Sequence, residues 1–102
     1  MPNQKEQRWE YEAKITFRNQ EIVKITITDH YQEKHSEITH ELILGIVNLL
    51  NGKRLEPRKK HGNRDIYVWD RIVYNQKKYR LIFWFKDNET NHLWIRNCYP
   101  VN

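Results

Sequence analysis

The stretch Asp29-His30-Tyr31-Gln32-Glu33-Lys34-His35 packs two imidazoles and an ammonium group into seven positions. Cleaving RNA without a metal needs such groups: a base for the 2′-hydroxyl, cations for the crowded phosphate, and an acid for the departing 5′-oxygen. Histidine gains and loses its proton near neutral pH, so His30 and His35 suit the acid and base roles, while Lys34 supplies fixed charge. Arg80, Arg96 and Tyr99, far along the chain, are the candidates to complete the set. A plainer reading of His30 and His35, as solvent-facing or helix-capping residues, stands beside this one.

Other chemistries find less support. His30, His35 and His40 are spaced by five, about 140° apart around an α-helix, so they do not share the face that a zinc pair at i and i+4 needs. Cys98, the single cysteine, can form neither an internal disulfide nor a zinc site alone, and a reducing cytoplasm is the expected location. Ser36 is the only serine and reads as a cap, and Cys98 has no basic pair beside it in sequence. Three dispersed glycines cannot build a phosphate-cradling loop. The acids fall on expected solvent faces or turns, without the shared site that glycosidase chemistry requires. Neither a metal nor a cofactor is implied.

Charge points to a polyanionic partner. Residues 1–51 hold six Lys/Arg against eight Asp/Glu, and residues 52–102 hold twelve against five, giving −2 and +7 within a total of +5. The basic half also carries Trp69, Trp84 and Trp94, in runs where cations alternate with aromatic rings. Phosphate contacts supply affinity and flat rings hold unpaired bases, so single-stranded RNA is the first candidate. Residues 52–64 read as a basic loop, from which Arg58, Lys59, Lys60, His61 and Arg64 would reach RNA beside Trp84, Trp94 and Arg96. The loop could instead be a solvated connection, and the tryptophans a second small core or a dimer contact.

These residues need elements to position them. At 102 residues the chain fits one domain, 1–102, with one modest core and a frayed start over residues 1–7. Trp9, Tyr11, Ala13, Ile15 and Phe17 alternate with polar residues, as do Val23, Ile25 and Ile27, which predicts an N-terminal β-hairpin turning at 18–21. Asp29 with Gln32 reads as a capping box opening a helical turn through His35. From Ser36 or Thr39, the recurrence Ile38, Leu42, Ile46, Leu49/Leu50 predicts an amphipathic helix ended by Asn51-Gly52. Strands follow at 66–74, 79–86 and 92–99.

The expected fold is α+β, with one or two helices packed on one face of an antiparallel meander. Leu81, Phe83 and Phe85 should face the helix, leaving Arg80, Ile82, Trp84 and Lys86, with His92, Trp94, Arg96 and Cys98, on an open face. The apolar runs are too short to span a membrane, and the polar start Met1-Pro2-Asn3-Gln4-Lys5 is unlike a secretion signal.

The segment from Ile25 through Asp29-His30 and Lys34-His35 to Ile38, the helix to Leu50, the strand Tyr79-Arg80-Leu81-Ile82-Phe83 and the ending Trp94-Ile95-Arg96-Asn97-Cys98-Tyr99-Pro100 together resemble the barnase/EndoU/colicin/RelE-like (BECR) ribonuclease superfamily. The likeness covers residues 22–100 and is nearest to phage-associated and polymorphic-toxin branches. It implies a small metal-independent endoribonuclease acting on tRNA or mRNA, held in check by an antitoxin or immunity protein. By resemblance, Lys34 and His35 match the helical positions, Arg80 the strand arginine and Tyr99 the terminal-strand hydroxyl, with His30 and Arg96 as further candidates. Many members carry a threonine where this chain has Asn97 and Cys98. Two other classes remain open on the residues alone: a non-catalytic binder of single-stranded RNA or DNA using the same face, and a protein-interaction module whose tryptophans are anchors.

Overall fold

The computed structural model describes residues 7–28 and 37–102. The expected helical turn from Asp29 through His35, and the expected frayed start up to residue 6, lie outside the described residues. Strands β1 (Arg8–Phe17) and β2 (Gln20–Thr28) pair antiparallel. They close through Arg18 and Asn19, both at positive φ (53° and 64°), the backbone a two-residue turn needs to follow strand twist.

Helix α1 (His40–Asn48) starts where its cap dictates: the Thr39 hydroxyl oxygen accepts the Leu42 N–H at 3.1 Å. Ile43, Ile46 and Val47 are fully buried against the sheet. The helix stops short of Leu50, which turns into the core as the chain reverses. Gly52, at φ 80°, then presents its N–H to the Thr16 carbonyl at 2.7 Å. Gly45 fits because Tyr74 lies against it; a Cβ there would sit 2.1 Å from the Tyr74 hydroxyl.

Four more strands follow: β3 (Lys59–His61), β4 (Arg64–Tyr74), β5 (Lys77–Phe85) and β6 (His92–Val101). All belong to one six-stranded sheet in the order β1-β2-β6-β5-β4-β3. The sheet is mixed: β4, β5 and β6 form the expected antiparallel meander, whereas β6 pairs parallel to β2, with Ile25 opposite Leu93 and Ile27 opposite Ile95. The core gathers on the helix side, where Phe17, Tyr67 and Phe83 meet with ring centroids 5.3 to 5.4 Å apart. Among the described residues, no helix is long and apolar enough to cross a membrane.

Three β-bulges and one edge strand change the expected pattern. Between Glu12 and Ile15, β1 holds an extra residue, so Ile22 takes the buried place and Val23, expected inside, is 42% exposed. The 52–64 segment is not all loop, because Lys59 to His61 pair with the start of β4, turning at Gly62 (φ 64°). A second bulge in β4 spans Asp70 and Arg71. The third lies in β6: Ile82 pairs with Asn97 and Phe83 with Ile95, leaving Arg96 as the extra residue. Beyond it the faces exchange, so Cys98, expected on the open face, is 0% exposed in the core and Tyr99 comes to the open face instead.

Candidate functional site

On the sheet face turned from the core, Thr26, Thr28 and His92 of β2 and β6 are buried, whereas Arg80, Ile82, Trp84, Trp94 and Tyr99 are partly exposed. The most organised point of this face is Arg80 on β5. The Asp70–Arg71 bulge, with Arg71 at φ 54°, brings the Asp70 carboxylate to Arg80: Nε donates to Oδ1 at 3.1 Å and Nη2 to Oδ2 at 2.9 Å. Such forked, charge-assisted pairs fix a guanidinium in orientation as well as place. Asp70 Oδ1 also accepts the Arg71 N–H at 2.9 Å. The third edge of Arg80 serves Tyr99, directly opposite in register, with Nη1 donating to the phenol oxygen at 2.9 Å.

Arg80 is 34% exposed and Asp70 30%, so the pair meets solvent and any ligand on the face. The hydrogen bond from Arg80 holds the Asp70 carboxyl below its usual range, against a smaller opposing effect of burial. Hydrogen bonds to Asp70 and then Tyr99 push Arg80 further up, so it stays a cation. A fixed cation beside a phenol can hold the non-bridging oxygens of a phosphate.

Four residues along β5, Trp84 stands directly opposite Trp94 on β6. Each ring has a guanidinium against it: Arg8 of β1 lies 5.0 Å from the centroid of Trp94, and Arg64 lies 4.6 Å from that of Trp84. Arg64 is held in turn by Asp87, with Nε and Nη2 donating at 3.3 and 2.9 Å. Beside this bridge opens a cleft of about 860 Å³, lined by His61, Tyr67, Phe85 and the turn after β5.

The sequence-derived site residues therefore fall into groups. Arg80 and Tyr99 touch; Trp84, Trp94 and Arg64 form a second cluster; Arg96 sits half-buried at the bulge between them. Arg58, Lys59, Lys60 and His61 are exposed at the far edge of the sheet, where Lys60 lies 3.9 Å from Asp65. They flank the tryptophan cluster and lie away from Arg80. His30, Lys34 and His35 lie outside the described residues. His92, expected as an open cation, is 3% exposed, with Nε2 2.6 Å from the Thr26 hydroxyl; burial foremost lowers its pKa. On the helix side, His40 Nδ1 meets the Tyr11 hydroxyl at 2.5 Å, and burial lowers its pKa too.

Sequence reasoning missed Asp70 and Arg8. Asp70-Arg71 interrupts an apolar strand between Trp69 and Ile72, a signal consistent with a bulge, but nothing in one sequence pairs Asp70 with Arg80. Among the described residues, no three His, Cys, Asp or Glu side chains converge as a metal site. Comparison of the chain with protein-family models, curated proteins and solved structures found no match.

Proposed function

We propose that this chain is a small, toxin-like endoribonuclease that cuts RNA without a metal, through attack of the 2′-hydroxyl. The observation that carries the reading is the Arg80–Tyr99 pair, oriented by Asp70 on a sheet face that also bears two tryptophans. Arg80 would hold the non-bridging oxygens of the scissile phosphate, and Tyr99 would lie against the same group. A base takes the 2′-hydroxyl proton as O2′ bonds to phosphorus; the bond to O5′ breaks, and an acid protonates O5′. Products are a 2′,3′-cyclic phosphate and a free 5′-hydroxyl. His35, with Lys34 and His30, is the proposed source of the base, the acid and further charge.

Support for a shared site comes from the described N-terminal flank of that segment. Thr28, at the end of β2, lies beside β6, its hydroxyl 3.4 and 3.5 Å from the carbonyl oxygens of Ile95 and Arg96. Glu37 precedes Ile38, which is buried in the helix-side core together with Tyr79. The Thr28 flank thus adjoins the strand that carries Arg96 and Tyr99, while the Glu37 flank lies toward the opposite side of the sheet from Arg80. The proposed setting is a cytoplasm, the substrate tRNA or mRNA, and the natural check an antitoxin or immunity partner.

A second reading, a non-catalytic single-stranded RNA binder, is favoured by one observation: Asp70 already offsets part of the Arg80 charge. Incubation of purified protein with total RNA in EDTA separates the two. Cleavage that disappears in His35→Ala and Arg80→Ala supports the enzyme; intact RNA with tight, salt-sensitive binding supports the binder.

A further inference from the structure

Between the Arg80/Tyr99 rung and the Trp84/Trp94 rung, the open face holds one more, Ile82 opposite Asn97. Rungs on one face recur about every 7 Å, so an extended strand running from Arg80 to the tryptophans passes over it. The face suits a polyanion: by register it presents Arg8, Lys24, Lys78, Arg80 and Arg96 against Glu10, Glu12 and Asp70. Asn97 is half-buried, and its Oδ1 accepts the Cys98 N–H at 2.9 Å. A carboxamide has one acceptor end and one donor end. One lone pair of the acceptor is engaged by the backbone beside the bulge, and the NH₂ end, which no described group engages, is the end that can donate to a ligand.

We infer that Asn97 is a specificity-determining residue, selecting at its rung a base that presents a carbonyl (uracil O4 or guanine O6) over one that presents an amine (cytosine N4 or adenine N6). This rests on the reading of the face as an RNA surface. Ile82 supplies an apolar contact for the ring, which any base satisfies, so discrimination falls to the amide. An amine facing that donor leaves both groups unpaired, which costs more than a bond simply not made. Asn97→Asp inverts the polarity with little change of shape: one oxygen still accepts from Cys98, and the ligand-facing atom becomes an acceptor.

The test uses 5′-fluorescein-labelled, 2′-O-methyl oligouridylate and oligocytidylate of equal length, which cannot be cut and differ at the exocyclic group, with binding read by anisotropy. Wild-type protein is expected to prefer oligouridylate by about five- to tenfold, the size of one hydrogen bond, and Asn97→Asp to prefer oligocytidylate. Equal wild-type affinities overturn the inference, as does a preference left unchanged in Asn97→Asp. Unmodified RNA is tested in parallel: if it stays intact while the preference and its inversion appear, the ribonuclease reading falls and the base selection stands. If it is cut while the oligomers are not distinguished, the inference falls and the ribonuclease reading stands.

Discussion

Asp70 grips Arg80 with both carboxylate oxygens, leaving Nη1 of the guanidinium to reach Tyr99. Orientation, beyond charge alone, is what this arrangement confers. Arg80→Lys keeps the cation but loses the fork, so RNA cleavage is expected to fall by about 10²-fold, comparable to removing one oriented donor from a reacting centre. The melting temperature should hardly move, because a pair this exposed contributes little stability. Single-turnover cleavage rates alongside thermal melts check both halves.

Trp94→Ala is expected to weaken binding of single-stranded RNA by about 1 to 3 kcal/mol, the range for one stacked base, at any salt concentration. Arg8→Ala should instead flatten the salt dependence by about one ion, since its guanidinium lies against Trp94 and forms no ion pair among the described residues. Anisotropy titrations across a salt series distinguish the two.

Burial pushes the Cys98 thiol up to about 12 from an ordinary value of 9.0. In the native state it should resist thiol reagents at pH 8 and react at once in denaturant. The sign of its linkage follows: the folded state prefers the neutral thiol, so its contribution is complete below pH 9.0 and is lost as pH rises toward about 12. That is about 4 kcal/mol at the upper limit, measurable as the difference between the alkaline unfolding limbs of wild type and Cys98→Ala.

His92 carries the opposite dependence. Burial foremost depresses its pKa, with Glu89 and Glu10 opposing and Lys86 and Lys24 assisting, while Thr26 holds its Nε2. Stability should be full above the ordinary value of 6.5 and decline as pH falls through the folded value. His40 adds a decline of the same sign. His92→Gln is expected to reduce the slope of melting temperature between pH 7 and pH 5 without abolishing it.

Phe83→Ala removes a fully buried ring that touches Phe17 and Tyr67, and should cost about 3 to 5 kcal/mol in denaturant unfolding.

The fold was legible wherever a period persisted. Trp9 to Phe17 alternates, Ile43, Ile46 and Val47 recur on one helical face, and Leu81 with Phe83 marks the inner side of β5. It failed where one inserted residue reversed the count, because residue types alone do not fix the position at which a bulge shifts the alternation. Val23 came out, Cys98 went in, and Tyr99 reached Arg80 for that reason. β3 has the sequence of a loop, because an edge strand exposed on both sides shows no alternation. The parallel pairing of β2 with β6 is a long-range event that local pattern does not encode. Of the site, Arg80, Tyr99 and both tryptophans were readable, whereas Asp70 and Arg8 depend on a bulge and on neighbours from other strands.

The position of β6, last of the strands in chain order yet interior to the sheet between β2 and β5, bears on how the molecule is born. On the ribosome, the hairpin of β1 and β2 and the ladder of β3, β4 and β5 emerge first as two separate pieces, each with an unpaired edge. Within the sheet, residues 92–101 join these pieces edge to edge, and both Tyr99 and Trp94 arrive with that closing strand. The face that carries Arg80, Tyr99, Trp84 and Trp94 is therefore completed in one step, by the strand that comes after all its neighbours in chain order.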